Sequence, residues 1–91
     1  MEIRWTPEAS SNLEVISLHI ARDSPEAALR MVRVIFQSIE QLAAFPYRCR
    51  TGRKEGTREL VVPGSPYIAV YRVHESVIEI LQIWHGAQRR N

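Results

Sequence analysis

A four-residue pattern that occurs twice near the start of the chain constrains its fold more than any other feature. The segment TPEA at 6–9 recurs as SPEA at 24–27, eighteen residues later. In each segment a hydroxyl residue can accept from the free N–H groups of a helix start, and the proline that follows needs no hydrogen-bond partner. The glutamate then lies near the positive end of the helix dipole. The pattern predicts two successive helices, at about 7–22 and 25–44.

Apolar residues at helical spacing support both helices. The second helix is predicted to be the more deeply buried, because Leu29, Phe36 and Ala43 flank its apolar stripe. Few residues separate the helices, which predicts an antiparallel hairpin, and Phe45-Pro46 is expected to end the second helix. The two stripes are Ala9, Leu13, Ile16 and Ile20, and then Ala28, Val32, Ile35, Ile39 and Leu42.

The rest of the chain is typical of β-strands. Strands are predicted at 2–5, 57–62, 67–73 and 77–84, and the segment PGSP at 63–66 predicts a turn with Gly64 at positive φ. The order β-α-α-β-β-β indicates an α+β fold in a single domain, residues 1–91. The hairpin is expected to pack on one face of a mainly antiparallel sheet that the first strand joins. Ala69 and Tyr71 are expected to face the helices, and Arg72 to face outward.

Charge is divided unevenly along the chain. Residues 1–45 hold four basic and six acidic residues, whereas residues 46–91 hold eight basic and four acidic ones. Much of this positive charge falls in residues 48–56, which we call the basic loop. It could be a grip for nucleic acid, a socket for an acidic partner or an ordinary solvated loop.

Few residues are candidates for catalysis. The three histidines and the single cysteine lack the spacing of metal ligands, so neither a metal nor a cofactor is predicted. His85 could be a general acid or base or an RNA-stacking group, or simply an imidazole held by a backbone carbonyl. Arg58 could contact phosphate or be an exposed edge residue. The lone Cys49 fits a reducing cytoplasm, and neither a signal peptide nor a membrane span is predicted.

Taken together, several segments resemble the RelE/ParE superfamily of toxins from type II toxin–antitoxin modules. The matching segments are FPYRCRTGRKEGTREL, YIAVYRV and VIEILQIWHGAQ, preceded by the helical hairpin. The resemblance implies a cytoplasmic toxin that is silenced by a cognate antitoxin with an amphipathic, acidic segment. It also implies that the toxin reaches operator DNA only through that antitoxin. Many relatives are expected to have glycine where this chain has Cys49, so a strained turn at positive φ is expected there.

The superfamily divides by target. RelE-like members cut messenger RNA on the ribosome with a cluster of basic residues on the open sheet face, whereas ParE-like members poison DNA gyrase without nuclease chemistry. Tyr67-Ile68 and the segment Glu59–Val62 offer few cations, which favours the ParE-like branch. The alternatives are a RelE-like ribonuclease, with His85 and Arg58 as its catalytic residues, and a small basic RNA-binding module. The residues expected to contact the target or the antitoxin are Arg48, Arg50, Arg53, Lys54, Arg58, Arg72, Arg89 and Arg90.

Overall fold

The computed structural model describes residues 1–88 and has the α+β architecture that the sequence predicts. The two helices and the four predicted strands follow one another in the expected order, and one additional short strand brings the number of strands to five. Short 3₁₀ turns at Gln41–Ala43 and Gly86–Gln88 follow the second helix and the last strand. The elements are β1 Glu2–Trp5, α1 Pro7–Ala21, α2 Pro25–Glu40, β2 Arg50–Thr51, β3 Arg58–Val61, β4 Tyr67–His74 and β5 Val77–His85.

The strands form one five-stranded sheet in the order β1-β5-β4-β3-β2. β1 runs parallel to β5, and the other neighbours are antiparallel, which confirms the C-terminal meander. Strand β2 was not predicted, because its two residues fall in the basic loop. It forms through pairing with β3, Arg50 opposite Glu59 and Thr51 opposite Arg58, and not through the propensity of its own sequence.

Both helices begin where the repeated pattern predicts. The hydroxyl oxygens of Thr6 and Ser24 each accept from an N–H group three residues later, at 3.1 Å. The α-helical prediction to residue 44 is wrong at its end, because α2 stops at Glu40 and tightens into a 3₁₀ turn. The tighter turn still satisfies backbone groups before the chain reaches Pro46, since the N–H of Ala44 donates to the carbonyl oxygen of Gln41.

The hydrophobic core lies between the helical hairpin and one face of the sheet. The prediction that flanking residues bury α2 more deeply is wrong for Leu29 and Phe36, which are 65% and 42% exposed. They lie at the edge of the apolar stripe, so the sheet does not reach them. The predicted inward positions of Ala69 and Tyr71 are confirmed, since neither side chain is accessible. The remaining core is built mainly from Ala9, Leu13, Ile35, Ile39, Leu42, Leu60, Val62, Tyr67, Ile78, Ile80 and Ile83.

The opposite face of the sheet is not covered by the helices. Side chains alternate along each strand, so the residues between the core positions point to this second face, which we call the open face. Arg72 is exposed there, as predicted. The pairing of β4 with β5 shifts between Val70 and Tyr71, which leaves Leu81 as an extra residue in β5. The open face carries Glu59, Val61, Ile68, Val70, Arg72 and Trp84.

Candidate partner-binding surface

The start of the basic loop is tied to the sheet by Arg58 and Tyr71, which are paired across β3 and β4. Arg58 Nη1 donates to the carbonyl oxygens of Tyr47 at 3.1 Å and Cys49 at 2.8 Å. The Tyr71 hydroxyl donates to the carbonyl oxygen of Pro46 at 2.8 Å. Burial, followed by the neighbouring Cys49 thiol, raises the pKa of the Tyr71 phenol above its ordinary value. Arg58 therefore lies on the helix side of the sheet, where its guanidinium holds the loop.

The tip of the basic loop is held by Thr57, which is buried. Its hydroxyl donates to the carbonyl oxygen of Lys54 at 2.6 Å, and its own carbonyl accepts from the N–H of Gly52 at 2.7 Å. A Cβ atom at position 52 would overlap the Thr57 side chain, so the loop needs glycine there. These contacts fix the backbone that presents Arg53 and Lys54.

The basic residues differ in how far their charges are already neutralised. Arg50 forms an ion pair with Glu59 at 3.1 Å, and Arg72 forms one with Glu79 at 2.7 Å. The Arg72 hydrogen bond lowers the pKa of Glu79. Arg48 lies over the ring of Phe45 at 5.1 Å. By contrast, the side chains of Arg53, Lys54 and Glu55 are exposed and form neither an ion pair nor a hydrogen bond with residues 1–88. The predicted contacts Arg89 and Arg90 lie outside the described residues.

A cleft of about 730 Å³ opens beside Arg53 and Lys54, on the open face of the sheet. We call it the open-face cleft. The start of α1 forms one wall, where Gln82 donates to Glu8 at 2.7 Å, and the basic loop forms the other. Its lining residues are Thr6, Pro7, Glu8, Arg53, Lys54, Glu55, Thr57, Glu59, Val70, Arg72, Leu81, Gln82 and Trp84.

A second concave surface lies between the two helices and beside β1, and we call it the hairpin groove. It has a volume of about 680 Å³ and contains an aromatic pair, Trp5 and Phe36, whose ring centroids are 5.1 Å apart. Serines of α1 form one wall, and such small side chains let another backbone approach closely. Pro7 lines both the groove and the cleft. The groove residues are Trp5, Pro7, Ser10, Ser11, Leu13, Glu14, Ser17, Val32 and Phe36.

His85 lies away from both surfaces. It is opposite Tyr67, on the core side of the sheet, and the two rings meet edge to face at 5.5 Å. Its Nδ1 accepts from the N–H of Ala87 at 3.1 Å. A backbone amide therefore holds the ring, and the alternative prediction of a backbone carbonyl is wrong. Arg58 is opposite Tyr71, which lies four residues beyond Tyr67 along β4. At the usual rise of a strand, this places Arg58 about 13 Å along the sheet from His85. The structure therefore does not bring His85 and Arg58 together.

Two further findings concern the remaining sequence predictions. Cys49 does not have positive φ, because Glu75 is the only such non-glycine residue among those described, so the expected strain at Cys49 is wrong. Neither α1 nor α2 is long and apolar enough to cross a membrane, and no other helix of the described chain is. No three histidine, cysteine or acidic side chains within residues 1–88 are grouped as metal ligands would be.

Sequence reasoning missed the hairpin groove and the roles of Thr57 and Tyr71. A signal for the groove was present, since Phe36 lies beside the core-facing stripe of α2 and extends its apolar surface beyond what the sheet covers. The hydrogen bonds of Thr57 and Tyr71 leave no such pattern, because each depends on where a loop folds back.

Comparison with known proteins agrees with this architecture. Residues 3–90 match the family described as ParE toxin of type II toxin-antitoxin system, parDE. The protein Y4kP of Sinorhizobium fredii is 42% identical over 87 residues, which cover 96% of this chain and 90% of that protein. Toxin RelE2 of Caulobacter vibrioides is 32% identical over 87 residues, which cover 96% of this chain and 97% of that protein. A chain of the solved "Chromosomal ParDE TA system from P. aeruginosa" superposes with a TM-score of 0.84 at 31% identity, covering 93% of this chain and 95% of that one.

The element order, the mixed sheet and these matches define a toxin of the RelE/ParE superfamily, which confirms the resemblance seen in the sequence. Within that superfamily, the chain belongs to the ParE toxin family of type II toxin–antitoxin systems. Membership of such a system implies a cognate antitoxin.

Proposed function

We propose that this toxin arrests bacterial growth by binding a protein target such as DNA gyrase, without cutting RNA. The observation that carries the proposal is the charge pattern of the open face. All three arginines on its strands are neutralised, Arg4 by Glu2, Arg50 by Glu59 and Arg72 by Glu79. Cleavage of a phosphodiester needs uncompensated positive charge aimed at the developing oxyanion.

The positions of the candidate catalytic residues support the same choice. His85 and Arg58 lie on the helix side of the sheet, and Arg58 is engaged with loop carbonyls. Arg53 and Lys54, which have no ion-pair partner among residues 1–88, lie on a loop across the sheet from His85. A general acid and the charges that stabilise a transition state have to converge on one reacting group. Here they do not converge.

The first experiment is a brief induction of the toxin in growing cells, with DNA and protein synthesis followed by pulse labelling. DNA synthesis should stop first, DNA-damage signalling should rise, and messenger RNA on ribosomes should stay intact. Purified toxin should inhibit supercoiling by gyrase in the same concentration range. Codon-specific cuts in ribosome-bound message, at a time when DNA synthesis continues, would make the protein a ribonuclease instead.

Neutralisation is by a cognate antitoxin that lays the apolar side of an amphipathic segment into the hairpin groove. Trp5, Val32 and Phe36 supply an apolar floor that the core does not use, and Phe36 is 42% exposed. Docking of an amphipathic helix in such a groove is a common form of peptide recognition. Both partners meet in the cytoplasm, and operator DNA is contacted only through the antitoxin.

The variant Phe36→Ala tests this groove. A central aromatic anchor typically contributes about 2 kcal/mol or more to binding, so affinity for the antitoxin encoded beside the toxin gene should fall roughly thirtyfold. The matched control is Phe45→Ala, which truncates a phenylalanine that is 55% exposed and lines neither surface. Equal affinities of the two variants, measured by calorimetry, would remove the groove as the docking site.

A further inference from the structure

We propose that two copies of this chain associate along strand β1, at the edge of the sheet, and join their two five-stranded sheets into one. The second β1 runs antiparallel to the first, with Ile3 of one copy opposite Ile3 of the other. A two-fold axis relates the copies, so both use the same surface and the assembly closes at two chains. Neither the target nor the antitoxin is needed for this association.

Strand β1 has a neighbouring strand on one side only, within the part of the chain that the structure describes. That neighbour is β5, and on its side the N–H groups of Glu2 and Thr6 donate to carbonyl oxygens at 3.2 Å and 3.1 Å. Backbone groups alternate in direction along a strand, so the N–H and C=O groups of Ile3 and Trp5 point away from the sheet. Such an edge can accept a further strand.

The charges of β1 suit a second copy of the same strand. Glu2 and Arg4 lie on the open face, and their side chains are 57% and 58% exposed. When Ile3 is opposite Ile3, Glu2 of each copy is opposite Arg4 of the other, which gives two carboxylate–guanidinium pairs across the junction. These positions belong to the closely spaced pairs of an antiparallel ladder, where side chains approach most closely.

Only one register of this pairing is favoured by charge. A pairing centred on Arg4 would place the two guanidinium groups directly opposite each other, and like charges there are destabilising. A pairing centred on Trp5 would leave Glu2 beyond the end of the partner strand, and Arg4 would face no carboxylate. The pairing centred on Ile3 avoids both faults and allows about six backbone hydrogen bonds between the copies.

A row of alternating charge across the open face leads to the same edge. Arg72 on β4 is opposite Glu79 on β5, and Glu79 is opposite Arg4 on β1. The side chains of Arg72 and Glu79 form an ion pair at 2.7 Å. The row ends with the cation of Arg4 at the edge, and in the proposed pairing the second copy's Glu2 is next to it. Alternation of charge then continues from one sheet into the other.

The helix side of the junction is apolar. Ile3 and Trp5 pack against the core, and the Trp5 ring lies 5.1 Å from the ring of Phe36. In the proposed register, Met1 of each copy is opposite Trp5 of the other and on the same face. Met1 is 46% exposed in the single chain, and a thioether beside an indole is a favourable contact. Association would therefore cover apolar surface on one side and pair charges on the other.

The pairing also fixes how the two molecules are oriented. Residues that are opposite each other in a sheet lie on the same face, so the open faces of both copies point in one direction. None of the residues that line the open-face cleft belongs to β1, so the junction leaves both clefts accessible. A target with two equivalent sites could be bound at both, which would raise the overall affinity without a new contact.

Charge complementation between two variants tests this pairing. The interface is small, so full-length wild-type toxin should form dimers in the micromolar range, measured by sedimentation velocity over a series of concentrations. Glu2→Arg places arginine opposite arginine, and Arg4→Glu places glutamate opposite glutamate, so each variant alone should dimerise about tenfold more weakly. An equimolar mixture should form a mixed dimer with wild-type affinity, because each arginine again faces a glutamate.

The matched controls are Arg33→Glu and Glu40→Arg, which make the same charge changes at exposed positions of α2 and should dimerise like wild type. Amide hydrogen exchange then locates the junction independently of charge. Exchange at Ile3 and Trp5 should slow as the concentration is raised from monomer to dimer, because their outward N–H groups become hydrogen-bonded.

Four results would overturn the proposal. The first is a wild-type chain that stays monomeric at about 100 μM. The second is wild-type dimerisation in both Glu2→Arg and Arg4→Glu, and the third is a mixture of these variants that is no more dimeric than its components. The fourth is a dimer in which exchange at Ile3 and Trp5 is unchanged, since the copies would then meet elsewhere.

Discussion

At the scale of single residues, Tyr71 connects the core to the start of the basic loop. Its ring is fully buried, and its hydroxyl is the donor to the Pro46 carbonyl just before the basic loop. Tyr71→Phe keeps the ring but leaves that carbonyl without its donor, so the free energy of unfolding should fall by about 1 kcal/mol. Urea denaturation measures the change. Tyr67→Phe is the control, because the Tyr67 hydroxyl makes no hydrogen bond with the described residues, and it should lose less.

The same residue makes stability depend on alkaline pH. Burial raises the pKa of both Tyr71 and Tyr67 above the ordinary value of 10.0, so the folded chain keeps these protons at a pH where the unfolded chain loses them. The stability that these phenols contribute is therefore fully present below about pH 10 and is lost as pH rises further. The free energy of unfolding should decline above that pH, and more slowly in Tyr71→Phe. A wild-type slope that Tyr71→Phe leaves unchanged would contradict this assignment.

At the scale of elements, the two helix starts have the same sequence pattern but different connections. Ser24 caps α2, whereas Thr6 caps α1 and its hydroxyl also donates to the carbonyl of Ile80 beside the extra residue in β5. Loss of a cap costs about 1 kcal/mol. Ser24→Ala should cost that amount, and Thr6→Ala should cost about 1 kcal/mol more, because it also removes the hydroxyl hydrogen bond from the start of α1 to the sheet. Thermal denaturation measures the stability of both variants. Equal stabilities would show that the hydrogen bond from the Thr6 hydroxyl to Ile80 contributes nothing.

The elements also show what could be predicted from this sequence and what could not. Both helix starts and the Gly64 turn, with φ of 73°, were predictable because the signals lie within a few neighbouring residues. Strand β2 was not, since Arg50 and Thr51 are extended only because β3 pairs with them. Alternation predicted that Tyr71 faces the core, but not that Arg58 shares its face and is bound to loop carbonyls. The hairpin groove needs Trp5, α1 and α2 together, so no single segment predicts it.

At the scale of the whole molecule, one face of the sheet is covered by the helices and the other is open. The helix face buries the core, and at its edges Arg58 and His85 are used for local structure. The open face and the hairpin groove remain accessible and meet at Pro7. The surfaces proposed for partner binding therefore lie away from His85.

This separation predicts different consequences for Arg58→Ala and His85→Ala. Arg58→Ala removes the donors that hold the Tyr47 and Cys49 carbonyls and the contact with the Tyr47 ring, so it should destabilise the fold by about 1–3 kcal/mol and slow antitoxin association by loosening the loop. His85→Ala removes one edge-to-face ring contact, which should cost about 0.5–1.5 kcal/mol and leave toxicity and antitoxin affinity nearly unchanged. Growth arrest on induction, calorimetric affinity and urea denaturation are measured for each variant. Loss of toxicity in His85→Ala, with stability and the affinities for antitoxin and gyrase intact, would identify the imidazole as a catalytic group. The gyrase proposal would then be replaced by RNA cleavage.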